Sequence, residues 1–129
     1  MESRSEERTV VLFRPVGPKE LALIEQAGFR EFPARLEGQP FFYPVQNEEY
    51  AIQIARDWNA KSPGVGAGFV TRFRVRTDYL ARFELRTVGN AVHKEYWIPA
   101  EELPEFNRNI VGPIEVTAEF HADGRERRL

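Results

Sequence analysis

The chain has 129 residues, no cysteine, ten phenylalanines, 42% hydrophobic residues and a formal net charge of −2. That length fits one domain able to bury a real core, and the lack of cysteine excludes a disulfide framework, a thiolate metal site and a thiol nucleophile. The near-balanced charge argues against a dedicated nucleic-acid binder, which ordinarily carries a basic excess.

Residues 1–8, Met1-Glu2-Ser3-Arg4-Ser5-Glu6-Glu7-Arg8, read as a disordered, charged leader with no apolar run of signal-peptide length behind it. No stretch approaches the roughly 20 apolar residues that span a bilayer. The expectation is therefore a cytoplasmic protein with no membrane partner. Residues 9–13 form a β-branched and aromatic run, a strand by composition. Arg14-Pro15-Val16-Gly17-Pro18 then predicts a turn. Leu21, Ile24 and Ala27 at helical spacing predict a short helix over 19–27, stopped by Gly28. Poor periodicity, with Pro33, Gly38 and Pro40, marks 29–40 as an exposed connection.

A second, aromatic strand is expected over 41–45. Asn47 is placed to cap a helix running to about Trp58, with Glu48 and Glu49 at its positive end and Tyr50, Ala51, Ile54 and Ala55 as its apolar stripe. The glycine-rich stretch 61–68 breaks it. From Gly68 onward Phe69, Thr71, Phe73 and Val75 alternate with Arg72, Arg74 and Arg76, the pattern of a strand with a solvated arginine face. Thr77-Asp78 can cap a single turn with Tyr79 and Leu80. Strands follow over 83–88 and 92–98, with a turn at Gly89-Asn90 between them. Residues 100–110 look helical, with Leu103, Phe106 and Ile110 as the buried face. Ile114, Val116, Ala118 and Phe120 alternate as a last strand, and 122–129 is a charged tail. This order predicts a single α+β domain over 9–121, with a mainly antiparallel, split β-sheet and two or three short helices.

The chemistry is limited by what is missing. There is no P-loop, no G-x-G-x-x-G after a strand and no H-E-x-x-H. The two histidines, His93 and His121, lie too far apart in sequence to suggest a zinc site, so no metal is expected. What remains is a set of polar residues at the ends of apolar strands: Arg14, Tyr43, and Glu95 flanked by His93 and Trp97 on one face. An arginine, a tyrosine and a glutamate on neighbouring strands suit an anionic, aromatic-bearing ligand of nucleotide type. The guanidinium would hold phosphate, the phenol ring would stack on a base or pyridinium, and the carboxylate would meet a sugar hydroxyl or a positive charge. Each also has a plainer reading, as a surface ion pair, a core aromatic and a solvated strand residue.

Three runs carry a resemblance. Leu12-Phe13-Arg14-Pro15-Val16-Gly17, Phe42-Tyr43-Pro44-Val45-Gln46-Asn47-Glu48-Glu49-Tyr50-Ala51, and Glu95-Tyr96-Trp97-Ile98-Pro99-Ala100-Glu101-Glu102-Leu103 with Phe106-Asn107-Arg108 resemble a bacterial family labelled "ADP-ribosylation/crystallin J1". More distantly, the chain is similar to the ADP-ribosyltransferase fold. There, successive strands carry an arginine or histidine for NAD, an aromatic or serine beside the nicotinamide, and a catalytic glutamate. The resemblance implies that NAD is the substrate and that ADP-ribose passes to an unknown acceptor macromolecule. It implies that Glu95 stabilises the oxocarbenium-like cation, Arg14 holds the pyrophosphate, Tyr43 with Tyr50 sandwiches the nicotinamide, and His93 deprotonates the acceptor. Many members of the fold have glutamine or glutamate where this chain has His93. The alternatives are a non-catalytic module on the same fold, binding a nucleotide or a protein through Trp58, Trp97 and the phenylalanines, and RNA contact through Arg72, Arg74 and Arg76.

Overall fold

The computed structural model describes residues 8–88 and 93–129. The expected leader, all but Arg8, and the expected turn at Gly89-Asn90 lie outside the described residues. Strand β1 (Thr9–Val16) runs three residues past the expected end, straight through Pro15. The direction in which its nitrogen points makes this possible. Phe13 donates its N–H outward to the Val45 carbonyl at 2.8 Å, so the nitrogen of Pro15, two residues on, also faces outward. No bond to the neighbouring strand β3 (Ala67–Arg76) is lost there. After Gly17 the chain enters helix α1 (Pro18–Gln26), with proline in the first turn, where its missing N–H costs nothing.

Strands β1 and β3 pair antiparallel from Thr9↔Arg76 to Val16↔Phe69. On the far side of β3 lies β7 (Glu115–His121), and the charged end of the chain adds β8 (Glu126–Arg128) beside it, giving the order β1-β3-β7-β8. The 122–129 stretch is thus a hairpin arm with exposed side chains. Period-2 polarity could not reveal it, because both faces of this short strand meet solvent. Two ribbons complete the sheet structure: β2 (Phe41–Phe42) with β6 (Ile98–Pro99), and β4 (Leu85–Thr87) with β5 (Lys94–Tyr96). The strands expected over 41–45 and 92–98 do meet. Phe41↔Pro99, Phe42↔Ile98 and Val45↔Glu95 keep one antiparallel register, interrupted where Pro44 has no N–H to give. Val45 also bridges to Phe13. The 45 segment therefore lies between β1 and β5 and carries the sheet across to β4.

Helix α2 (Glu48–Ile54) starts as expected, with the Asn47 side chain accepting from the Tyr50 N–H at 3.1 Å. It then widens into a π-helical turn, Ala55–Asn59, closed by Ala60 N–H to Ala55 O at 3.0 Å. This turn sits directly on β3. A Cβ on Gly68 would come within 2.2 Å of the Ala55 carbonyl oxygen and 2.7 Å of Asn59 Cβ, so only glycine permits the approach. Helix α3 (Thr77–Leu80) is the expected single turn, and a 3₁₀ turn (Ala100–Glu102) leads into α4 (Leu103–Arg108).

Leu12 and Val16 face a large apolar cluster with Ile24, Phe32, Phe42, Phe73, Phe106 and Ile114. Phe13, on the opposite face, joins a smaller one with Val45, Ala51, Ala55, Val70, Ala118 and Phe120. The sheet is covered on both sides. The result is a single compact α+β domain, mostly antiparallel, with four short helices. Among the described residues no helix is long and apolar enough to cross a membrane.

Candidate functional site

Arg14, Tyr43 and Glu95 line one open cleft of about 260 Å³, together with Pro15, Ile54 and Asn59. Each comes from a different part of the chain, and the strand order brings them together: β1 carries Arg14, the 45 segment follows Tyr43, and β5 carries Glu95. The buried Thr71 hydroxyl of β3 donates to the Arg14 carbonyl at 2.8 Å, and the β3–β7 register shifts at the same point, with Thr117 of β7 the extra residue.

Glu95 is held from both sides. Its Oε2 accepts from the Tyr50 hydroxyl at 3.0 Å and its Oε1 from the Trp97 indole N–H at 2.9 Å. The expected shared face of Glu95 and Trp97 is thereby a direct contact. Tyr43 lies opposite Trp97, with ring centroids 5.6 Å apart and the rings edge to face. Phe41 packs on both, at 6.1 and 5.5 Å. The Arg86 guanidinium covers the Trp97 ring 4.2 Å from its centroid, and Arg86 pairs with Glu95 across the β4-β5 ribbon.

Tyr50 is placed differently from its expected role beside a ligand ring. It does not line the cleft. Its ring stacks on His93 at 4.3 Å and 17°, and its hydroxyl is spent on Glu95. Burial first, then the Glu95 charge and hydrogen bond, push its pKa up to about 12. Tyr50 therefore remains a neutral donor that orients the carboxylate. His93 stacks on Tyr50 and, like it, does not line the cleft.

Arg14 is also more engaged than its sequence position suggests. It lies within β1 on the buried face, 8% exposed. Its Nε and Nη2 donate to the two carboxylate oxygens of Glu20 at 2.7 and 3.0 Å, and its guanidinium lies 4.5 Å over the Phe42 ring. Strand continuation through Pro15 turns the residue inward, and the Gly17-Pro18 turn brings the first turn of α1 back over it. Arg35 stands close by, donating its Nε to the Phe41 carbonyl at 3.0 Å. Burial, and then the Arg14 charge, lower its pKa from the usual arginine value.

Glu20, Arg35 and Asn59 had no sequence signal strong enough to mark them. Glu20 reads as an ordinary acid in a first helical turn. Arg35 lies in the aperiodic 29–40 connection, and Asn59 follows the expected helix end. Trp58 beside it is 71% exposed. The Arg72 side chain is paired with Glu115 at 2.9 Å on the outer face, and Arg76 Nη1 donates to the Arg108 carbonyl at 3.1 Å.

A larger cavity of about 630 Å³ lies between the 30–34 stretch and α4, lined by Phe32, Pro33, Ala100, Leu103 and Asn107 among others. Arg30, Glu31, Glu101 and Arg108 also line it, and its amide, Asn107, has a structural task. The Asn107 amide accepts from the Phe32 N–H at 2.9 Å and donates to the Phe32 carbonyl at 3.0 Å. Size alone does not identify a site. The polar residues that the sequence singles out, Arg14, Tyr43 and Glu95, meet in the smaller cleft. Among the described residues no group of three or more His, Asp or Glu side chains could hold a metal ion.

No family model, no curated protein and no solved structure gives a significant match to the chain.

Proposed function

We propose that the cleft receives the nicotinamide-ribose end of NAD, and that the protein is an ADP-ribosyltransferase-like enzyme passing ADP-ribose to a macromolecular acceptor. One observation carries this reading: the adjacency of β1, the 45 segment and β5, which lines Arg14, Tyr43 and Glu95 along a single cleft. The resemblance of the three sequence runs to the ADP-ribosylation family supports it, and so does the antiparallel α+β build.

The chemistry follows from charge. Breaking the bond between the ribose C1′ and the nicotinamide nitrogen leaves an oxocarbenium-like carbon, and nicotinamide departs as a neutral molecule. A fixed carboxylate near the ribose stabilises that cation as it forms. Glu95 suits this work because Tyr50 and Trp97 hold both of its oxygens by N–H and O–H donors. The acceptor's nucleophilic oxygen or nitrogen then bonds to C1′ and loses its proton, for which His93, stacked on Tyr50, is the proposed base. Tyr43 offers the aromatic wall for the pyridinium. Arg14 offers positive charge for the pyrophosphate once Glu20 yields one of its hydrogen bonds.

Purified protein incubated with NAD labelled in the nicotinamide should release the label, and Glu95→Gln should lower that rate on the order of 100- to 1,000-fold. Release that survives Glu95→Gln unchanged would remove Glu95 from the mechanism. The Glu20–Arg14 pair favours a second reading, a non-catalytic nucleotide- or protein-binding module on the same fold, because it makes the guanidinium a fixed part of the cleft wall rather than a free partner for a reacting group. NAD binding with no nicotinamide release by the wild type, and unchanged affinity in Glu95→Gln, would select that reading.

A further inference from the structure

One wall of the cleft is unexplained by Arg14, Tyr43 and Glu95. Asn59 lines it from the last position of the π-helical turn, and its Oδ1 is buried with no hydrogen-bond partner among the described residues. Buried polar side-chain atoms are nearly always paired, so an orphaned acceptor asks for a specific explanation. The backbone around it is an arrangement that an ordinary α-helix would not produce. The π turn adds a residue to the helical circuit, and Gly68 alone lets it settle against β3 with Asn59 Cβ in close contact. π-Bulges of this kind are frequent at functional sites. A side-chain amide also rotates readily about χ2, so Asn59 can turn its oxygen out of that buried position without moving the backbone.

We propose that Asn59 recognises a primary carboxamide on a flat aromatic ring, which in the NAD reading is the carboxamide of the nicotinamide. An asparagine amide offers one acceptor and a pair of donors, and a carboxamide offers the complement, so the two pair in a plane. A carboxylic acid at the same ring position has no donor for Oδ1 at neutral pH. The cleft volume of about 260 Å³ suits a single ring with part of a sugar better than a whole dinucleotide. The ring would stand against Tyr43, between Asn59 and Glu95. The ligand's identity rests on the NAD reading; the amide selectivity is a separate property of Asn59.

The test measures affinity of the full chain for four probes: nicotinamide, nicotinic acid, NAD, and NAD with the carboxamide replaced by a carboxylate. Wild type should bind each amide at least tenfold more tightly than its acid. Asn59→Leu, which keeps the Cβ and the approximate size, should lose that preference while retaining thermal stability, since it removes a buried orphan. Asn59→Ala, as a smaller second variant, should give the same loss. Absence of the preference in the wild type, or its survival in both variants, overturns the assignment. Nicotinamide release from NAD with no dependence on Asn59 leaves the enzyme reading standing and this one fallen. Amide selectivity through Asn59 with no NAD cleavage does the reverse, and no binding of any amide probe defeats the Asn59 assignment outright.

Discussion

The two halves of the sheet are built on different terms. From β3 through β7 to β8 the ladder is long and its outer charges are paired locally, as in Arg72 with Glu115 and Arg127 with Glu119. From β1 through the 45 segment to β5 and β4 the pairing is short, proline-interrupted and bridged by single residues. Polar side chains are drawn inward there: Arg14 to Glu20 and Phe42, Tyr50 and Trp97 to Glu95. The regular half keeps its charged pairs on the surface, and the broken half gathers polar side chains at the candidate site. Short strands leave gaps in which side chains from three segments can meet, and their missing ladder bonds are replaced by side-chain bonds that fix particular atoms.

The largest effect should come from the residue that joins the halves. Phe106 is fully buried and packs its ring on Phe42, Phe73 and Tyr79 at 5.2, 6.2 and 6.2 Å. Phe106→Ala should cost about 3–5 kcal/mol, read by urea denaturation, and should loosen both halves together. A loss below about 1 kcal/mol would show that they are supported independently.

Next is the seat of the π turn. Gly68→Ala places a methyl against the Ala55 carbonyl and should cost about 1–3 kcal/mol. It should also disturb the Asn59 wall of the cleft, seen as shifts in the amide resonances of residues 54–60. Wild-type stability with unshifted resonances would refute the close approach.

The broken half should also respond to alkali. Tyr50 has a folded pKa raised to about 12 from an ordinary 10, so the unfolded chain loses this proton first. Any stability linked to it is intact below pH 10 and falls as pH rises from 10 toward 12. Tyr50→Phe should flatten this part of the alkaline unfolding curve by about 1 kcal/mol or less, because solvent screens a ring this exposed. Tyr79 and Tyr96, raised chiefly by burial, should preserve the rest of the slope. The variant must be compared with wild type at matched salt. An unchanged slope would mean that Tyr50 ionises equally in both states.

The smallest effect belongs to the regular half. Arg72→Ala removes an ion pair whose members are both half-exposed, and should change stability by no more than about 0.5 kcal/mol. A larger loss would mean that the outer ladder depends on its charges after all.

Much of this protein was legible in its residues. Alternation gave β3 and the core strand β7, Asn47 gave the start of α2, and proline and glycine gave the bounds of α1. These features depend on contacts between near neighbours, so periodicity and capping report them. The triad of Arg14, Tyr43 and Glu95 was also visible as polar residues attached to apolar strands, though not as one cleft. Tertiary structure decided the rest. It extended β1 through Pro15 because the nitrogen of Pro15 faces away from β3, and it turned the tail into β8 because β7 had an unpaired side. It placed Glu20 on Arg14, Tyr50 on Glu95 and Asn59 in the cleft wall, across separations of 6, 45 and, through Gly68, 9 residues. No local pattern encodes such meetings. They follow from which strands lie side by side, and that order is set by burying two apolar faces of one sheet at once.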